Sequence, residues 1–397
     1  MANRHTLQDL QELQALPLEL KVKLTKQRIR EWVNHFGSDG VYVSFSGGKD
    51  STVLLDIARE MYPNIKAMFV DVPTQYPELR EFVKTWDNVD IVRPKINFVD
   101  VCEKYGFPLI SKEVSEKAYY ARKYLLWSQE KIGKKPTSYA FVELMSLPEN
   151  DERRNEIENG ILRDELLEEL FGIDSGAPFK AKALFGNVRH KENGIATEQK
   201  SIRYDFSKYK FLIKAPFSLS SHCCDVTKKR PAKKYQKETE RKPITAQMAC
   251  ESRLRAQHWM QQSCNAFDLK SPISNPMSFW TEQDVLLYIR SHGLRICSVY
   301  GDIVTDDEEL GQIDFAQYTG MDIFDRGRQP LHCTGCQRTG CVCCGFGAHI
   351  SGDDRFVKLK ETHPQMYQLL DIAKNNGYTM RQAIDWIAEN SDVIIKY

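Results

Sequence analysis

The strongest chemical signal is a run of six residues, Ser46-Gly47-Gly48-Lys49-Asp50-Ser51. A β-branched and aromatic stretch at 41–45 precedes it, and a helical apolar pattern follows at once. Strand, glycine-rich turn and helix together aim unpaired backbone N–H groups and the positive end of a helix at an anion. Gly47 and Gly48 let the backbone approach a phosphate closely. Lys49 adds a mobile positive charge, and Ser46 and Ser51 add hydroxyl donors. Asp50 would repel a phosphate, which suits it to holding Mg²⁺ or capping the helix. A Walker A loop is excluded, because Val43 stands where its first glycine is required and Asp50 where Ser or Thr must follow the lysine. No glycine completes a Rossmann fingerprint either.

Cysteines make a second constellation. Cys223 and Cys224 are adjacent, and Cys333, Cys336, Cys341, Cys343 and Cys344 fall close together. Cys341 and Cys344 form a Cys-x-x-Cys flanked by Gly340 and Gly345, a turn in which both thiolates can reach one metal centre. Thiolate sets of this kind suit tetrahedral zinc or an iron–sulfur cluster. Cys333 and Cys336 are a rival Cys-x-x-Cys, able to bind metal or form a redox disulfide. Cys102, Cys250 and Cys297 read as buried structural thiols. Just after Cys223-Cys224, basic residues crowd 228–242, and Lys228 and Lys229 are the candidates there for phosphate contacts. Glu251 and Arg255 have the i, i+4 spacing of a helical ion pair.

The elements that must position these groups read as alternating strands and helices. Helix is expected over 7–36 with Pro17 as a break, strand at 41–45, helix over 52–61, strand at 65–70, helix over 77–86 and strand at 89–92. That alternation argues for an α/β fold with a doubly wound, mainly parallel sheet. Residues 112–204 are highly charged and strand-poor, and read as a mostly helical insertion. Residues 210–214 return to strand character. A helix starts near Thr281, whose spacing to Asp284 matches a capping box. Helices at 364–375 and 380–389 form a C-terminal tail. The expected organisation is an N-terminal helical segment (1–36), a nucleotide-binding domain in two parts (37–111 and 206–320), the insertion (112–205), and a cysteine-rich segment with the closing helices (321–397).

The chain has 397 residues, 42% of them hydrophobic, and a net charge of +1. That is enough to bury a sizeable core, and too balanced to imply a nucleic-acid or membrane partner from charge alone. No apolar run approaches the ~20 residues that span a bilayer, and residues 1–30 lack a signal-peptide core. A cytoplasmic protein is expected, with its eleven cysteines serving metal or redox chemistry rather than disulfides.

The six-residue loop resembles the pyrophosphate loop of the adenine nucleotide alpha-hydrolase superfamily, which includes PAPS reductases, ATP sulfurylase subunits and thiolation enzymes. Asp71-Val72-Pro73-Thr74-Gln75-Tyr76-Pro77-Glu78 resembles the Asp-Thr…Phe-Pro-Glu segment of PAPS reductases, with Val72 replacing Thr. The resemblance makes Asp71 and Val72 candidate nucleotide contacts, and it points Arg255, in Glu251-Ser252-x-x-Arg255, toward the nucleotide. The segment 276–285 is similar to a Pro-Leu-x-x-Trp-x-x-x-Asp-Val segment of these enzymes and reads as structural. By resemblance to the reductases that carry a [4Fe–4S] cluster, Cys223, Cys224, Cys341 and Cys344 become its ligands, with zinc as the alternative. The resemblance also implies Lys49, Asp50 and Arg255 as catalytic groups, a thioredoxin-like or other sulfur or electron donor, and nucleic acid as one class of thiolation acceptor.

Two chemistries fit such a site. In one, ATP is cleaved between its α and β phosphates, an acceptor is adenylylated and sulfur displaces AMP, with the loop and Mg²⁺ stabilising the departing pyrophosphate. In the other, a cysteine thiolate attacks the sulfate of PAPS or APS, leading to sulfite. The related reductases carry their nucleophile in a C-terminal Glu-Cys-Gly-x-His segment, whereas no cysteine follows Cys344 here. This favours ATP-dependent sulfur transfer. A non-catalytic, nucleic-acid-associated regulator is the third reading.

Overall fold

The computed structural model describes residues 4–130, 143–144, 146–159, 163–192, 194–309, 329–337 and 339–397. The chain forms two compact units, residues 1–95 with 228–341 and residues 96–227 with 342–397.

In the first unit, the N-terminal helical pattern is realised as α1 (Leu7–Gln14) and α2 (Leu18–Phe36), with Pro17 at the N-cap of the second. Proline lacks an N–H and fixes its own φ, so it begins a helix more readily than it continues one. A six-stranded sheet follows in the spatial order 89–92, 67–70, 41–44, 242–244, 273–274, 265–266. It is parallel except for its last pair. The central strand β1 (Val41–Ser44) sets Val43 opposite Ala67 of β2 (Ala67–Val70) on one side and opposite Ile244 on the other. Val41, Tyr42 and Val43 are all buried, so both faces are covered, which is why this strand reads as a continuous apolar run instead of an alternating one. Tyr42 packs with Met68 and with Tyr235 of the helix Arg230–Thr239. α2 and α3 (Lys49–Met61) also pack on β1.

From β1 the chain winds outward through β2 and β3 (Val89–Val92), then returns to build the other half of the sheet from residue 242 onward. Ligands of doubly wound sheets bind at the carboxyl ends of the strands where the winding reverses, and residues 46–51 leave β1 at that point.

Long-range polar contacts fix the helices. Lys21, almost wholly buried, donates to both carboxylate oxygens of Asp284 at 2.7 and 2.8 Å and to the Gln14 carbonyl at 2.6 Å. Asp284 also closes the expected capping box with Thr281 at the start of the helix Glu282–His292. The Trp280 indole donates to Thr25 Oγ1 at 2.9 Å, so the segment 276–285 is structural as read.

In the second unit, Leu109–Ile110 pairs in parallel with Gly345–Phe346, and the helix Lys112–Glu130 opens the insertion. Shorter helices follow at Glu152–Glu158, Asp164–Leu170 and Phe179–Leu184. The chain closes with the helix Met380–Glu389, capped by Thr379 and Gln382. Three expectations change. The strand-poor insertion contains an antiparallel hairpin, Arg189–Glu192 with Ile195–Lys200. The run 210–214 lies in a 3₁₀ helix, Ser207–Lys214, that buries Leu212 and Ile213; a short apolar run cannot by itself distinguish strand from helix. The expected helix at 364–375 breaks into Pro364–Tyr367, Leu369–Ile372 and a strand pair, Lys374–Asn375 with Tyr378–Thr379.

Candidate phosphate-binding site

Residues 46–51 form a turn braced by its own hydroxyls. Ser51 Oγ accepts from the Ser46 N–H at 3.1 Å and donates to the Gly48 carbonyl at 2.9 Å. The Ser46 and Ser51 hydroxyls pair at 2.9 Å, and Ser46 Oγ accepts from the Gly48 N–H at 3.3 Å. Ser51 is buried, so it shapes the loop from beneath. Gly47 has φ +74, and a Cβ there would lie 2.8 Å from Val83 Cγ2 and 3.0 Å from Leu79 Cγ of α4 (Pro77–Lys84). Glycine is thus required at 47 by conformation and by packing together. α3 begins at Lys49, with Gly48 at its N-cap and no side-chain cap, so the first N–H groups of the helix point toward the loop mouth.

Residues far along the chain converge on that mouth. The Lys49 N–H donates to the Tyr300 hydroxyl at 3.0 Å, and that hydroxyl pairs with Thr339 Oγ1 at 2.7 Å. A Cβ on Gly48 would come within 3.0 Å of Thr339 Oγ1 and 3.1 Å of the Tyr300 hydroxyl. Lys49 Nζ reaches Glu282 Oε1 at 3.0 Å, Asp50 Oδ1 at 3.6 Å and the Gln337 carbonyl at 3.5 Å. Burial works against the Lys49 charge, but Asp50, Tyr300 and Glu282 outweigh it and raise its pKa. Burial raises the Asp50 carboxyl despite Lys49, and its Oδ1 is buried without a hydrogen-bond partner. A buried carboxylate oxygen with the Lys49 ammonium at 3.6 Å, at a helix N-terminus, fits a divalent cation that arrives with a phosphate ligand. Burial also pushes the Tyr300 phenol up to about 12.

The other sequence-selected residues are placed as follows. Arg255 pairs with Glu251, as their spacing implies, and lies within electrostatic reach of Asp50. Asp71 is buried at the end of β2 between Arg80 (2.7 Å) and Arg93 (2.9 Å). Burial would raise its pKa, but these guanidinium groups outweigh burial and lower it. The Val72 N–H donates to Gln75 Oε1 at 2.9 Å. Lys228 and Lys229 end a one-turn π-helix, Asp225–Lys229, with Lys229 exposed; neither belongs to the contacts around Lys49 just described.

The rival pair Cys333 and Cys336 belongs to this neighbourhood. Burial raises the Cys333 thiol, with the Lys49 charge opposing and Glu282 and Asp50 adding to the rise. Cys336 Sγ lies 3.4 Å from the Tyr76 hydroxyl. Cys297 is buried as expected, whereas Cys250 is exposed, its thiol 3.4 Å from the Trp280 carbonyl.

The expected metal ligands divide between the two units. Cys223, Cys224 and Cys344 belong to the second unit and Cys341 to the first. Among the described residues no three His, Cys, Asp or Glu side chains are grouped so as to hold a metal ion. In the second unit the buried Cys102 thiol is raised, by burial first and then by Cys223 and Cys343. No helix among the described residues is long and apolar enough to cross a membrane.

Sequence reasoning missed Tyr300, Thr339, Gln337 and Glu282. None has a local signature: Tyr300, Gln337 and Glu282 reach Lys49 across more than 200 positions of sequence, and Thr339 reaches it only through the Tyr300 hydroxyl. The clustering of Cys333 and Cys336 beside them was the only available hint.

A crystal structure of phosphoadenylyl-sulfate (PAPS) reductase from Candida auris, in phosphate complex, is similar at 13% identity and a TM-score of 0.32, covering 79% of this chain and 96% of that one. A likeness that low carries no argument. No curated protein matches the chain. The family model for the phosphoadenosine phosphosulfate reductase domain matches residues 40–116 and 162–345, more than half of the sequence, and it spans the loop, Asp71, Arg255 and the Tyr300–Thr339 contacts. The chain belongs to the phosphoadenosine phosphosulfate reductase domain family.

Proposed function

We propose that the chain is an adenine-nucleotide-dependent enzyme whose residues 46–51 take the phosphates of ATP, and that it cleaves ATP at the α–β bond in a sulfur-transfer reaction. The observation that carries the reading is the turn itself. A left-handed Gly47 delivers the uncapped N-terminus of α3 beside Lys49, at the switch point of the sheet. An acceptor oxygen attacks the α-phosphorus, the bridge to the β-phosphate breaks, and pyrophosphate leaves toward the loop. A sulfur nucleophile then displaces AMP from the adenylylated acceptor. Lys49 and the α3 N–H groups stabilise charge on the departing pyrophosphate. Mg²⁺ carried in with the nucleotide would neutralise further charge there, and Asp50 is the side chain that would hold it. Arg255 stands near Asp50 as a further cation for the phosphates. In this reading Asp71 and Val72 border the nucleotide, and Lys228 and Lys229 supply outlying positive charge. A thioredoxin-like or other sulfur donor and a nucleic-acid acceptor are the partners the reading calls for.

Reduction of PAPS or APS to sulfite is the second reading, because Cys333 lies within electrostatic reach of Lys49. The raised Cys333 pKa ranks it second, since the attacking species is the thiolate. Incubation with α-labelled ATP distinguishes the two. Labelled AMP together with pyrophosphate supports the first reading, while inertness toward ATP with sulfite released from PAPS supports the second.

A further inference from the structure

The second unit holds an open cleft of about 800 Å³, walled by the helix Phe179–Leu184, the hairpin from Arg189 and residues 201–204. Its lining carries the fixed positive charges of Lys182, Arg189, Lys191 and Arg203, against the single carboxylate of Asp174. Asp174 is held by Arg189 through two contacts of 2.9 Å, and the Lys182 ammonium donates to the Ile173 carbonyl at 2.9 Å. Lys191 and Arg203 are exposed and have no carboxylate partner among the described residues. Aromatic surface is interleaved with this charge. Phe179 is 50% exposed and meets Tyr204 edge-on with ring centroids 5.0 Å apart. The Arg203 guanidinium lies 5.3 Å from the Tyr204 ring. Ile202 beside it is 94% exposed.

We infer that this cleft binds single-stranded nucleic acid, with Lys191 and Arg203 on backbone phosphates and a base stacked on the exposed Phe179 ring, which Tyr204 braces edge-on. Cationic groups without carboxylate partners give a polyanion a favourable exchange for its counterions. The exposed Phe179 ring and the half-buried Tyr204 ring give bases a face to stack on, largely independent of sequence. The hairpin is exposed at nearly all its described residues, which leaves a strand room to run past the cleft. The inference concerns binding alone and does not rest on the ATP reading, so either can fail without the other.

The test is fluorescence anisotropy of the full-length protein with fluorescein-labelled single-stranded RNA and DNA oligonucleotides of mixed sequence. The double variant Lys191→Glu/Arg203→Glu should weaken binding at least tenfold and lower the log–log salt slope by about 1.4, since each phosphate contact on a single strand contributes ~0.7. Tyr204→Ala should weaken binding about tenfold with the salt slope unchanged, as loss of stacking requires. Lys234→Glu/Lys237→Glu, the same charge change on the helix Arg230–Thr239, should leave affinity within about twofold. An equal loss in that control would overturn the inference by showing a non-specific charge effect. Heparin or AMP competing as well as unlabelled oligonucleotide would also overturn it, the first by showing recognition of charge alone and the second by showing a mononucleotide site. Unchanged melting temperatures of the exposed-residue variants separate lost binding from lost folding.

Discussion

Replacing Tyr300 by Phe should tighten nucleotide binding while weakening the free protein. The Tyr300 hydroxyl accepts the Lys49 N–H at 3.0 Å and pairs with Thr339 at 2.7 Å. It therefore occupies a donor that a bound phosphate would use, and a ligand must displace it. Each such hydrogen bond is worth about 1 kcal/mol net. Removing the hydroxyl should cost the free protein about 2 kcal/mol, read as a lower urea midpoint at unchanged m. The phosphate then meets an N–H with no internal competitor, and about 1 kcal/mol of that loss should return as affinity, close to a fivefold lower Kd for ATP. Titration calorimetry on wild type and Tyr300→Phe, in the same buffer and Mg²⁺, measures the difference. Weaker ATP binding by Tyr300→Phe would refute the reasoning, because the hydroxyl would then be a ligand to the nucleotide and not its competitor. Unchanged affinity would place the phosphates away from the Lys49 N–H.

Further outcomes follow from other contacts. Gly47→Ala forces a left-handed φ of +74 on alanine and sets its Cβ 2.8 Å from Val83 Cγ2; it should cost at least ~1 kcal/mol in chemical denaturation and abolish nucleotide binding. Asp284→Asn removes the carboxylate from the buried Lys21 and should cost about 3 kcal/mol in urea unfolding, whereas a loss below ~1 kcal/mol would show the pair to be dispensable. Asp71 has its pKa lowered below 3.8 by Arg80 and Arg93 against burial, so its stabilising contribution is present above the unfolded pKa and lost as pH falls through the folded one. The stability gap between wild type and Asp71→Asn should therefore stay constant near neutrality and narrow as pH falls below the ordinary carboxylate range; a gap that widens there would reverse the sign of the argument.

What could be read from sequence divides along contact range. The turn at 46–51, the strand before it and the helix after it are local features, and glycine, lysine and β-branched spacing reports them directly. The Thr281–Asp284 cap and the Glu251–Arg255 pair are legible for the same reason, each closing within one helical turn. Lys21 gives no such sign: a lysine reads as surface until Asp284, remote in sequence, proves to be its partner. The Tyr300 and Thr339 hydroxyls over Lys49 are hidden likewise. The hairpin 189–200 escaped because its strands are charged and exposed on both sides, leaving no alternating apolar pattern; the Asn193-Gly194 dipeptide was the turn signal that could have revealed it. Cysteine spacing raised the expectation of a metal centre, but spacing cannot say which thiols meet: Cys102, outside the expected ligand set, has both Cys223, inside it, and Cys343, outside it, within electrostatic reach.

The most direct measurement of the central claim is product analysis of α-labelled ATP incubated with Mg²⁺ and wild-type protein or Lys49→Ala, with candidate acceptors and a sulfide donor supplied. The account predicts labelled AMP and pyrophosphate from wild type and loss of both with Lys49→Ala. Equal turnover by the variant, or sulfite from PAPS with no reaction of ATP, would contradict it.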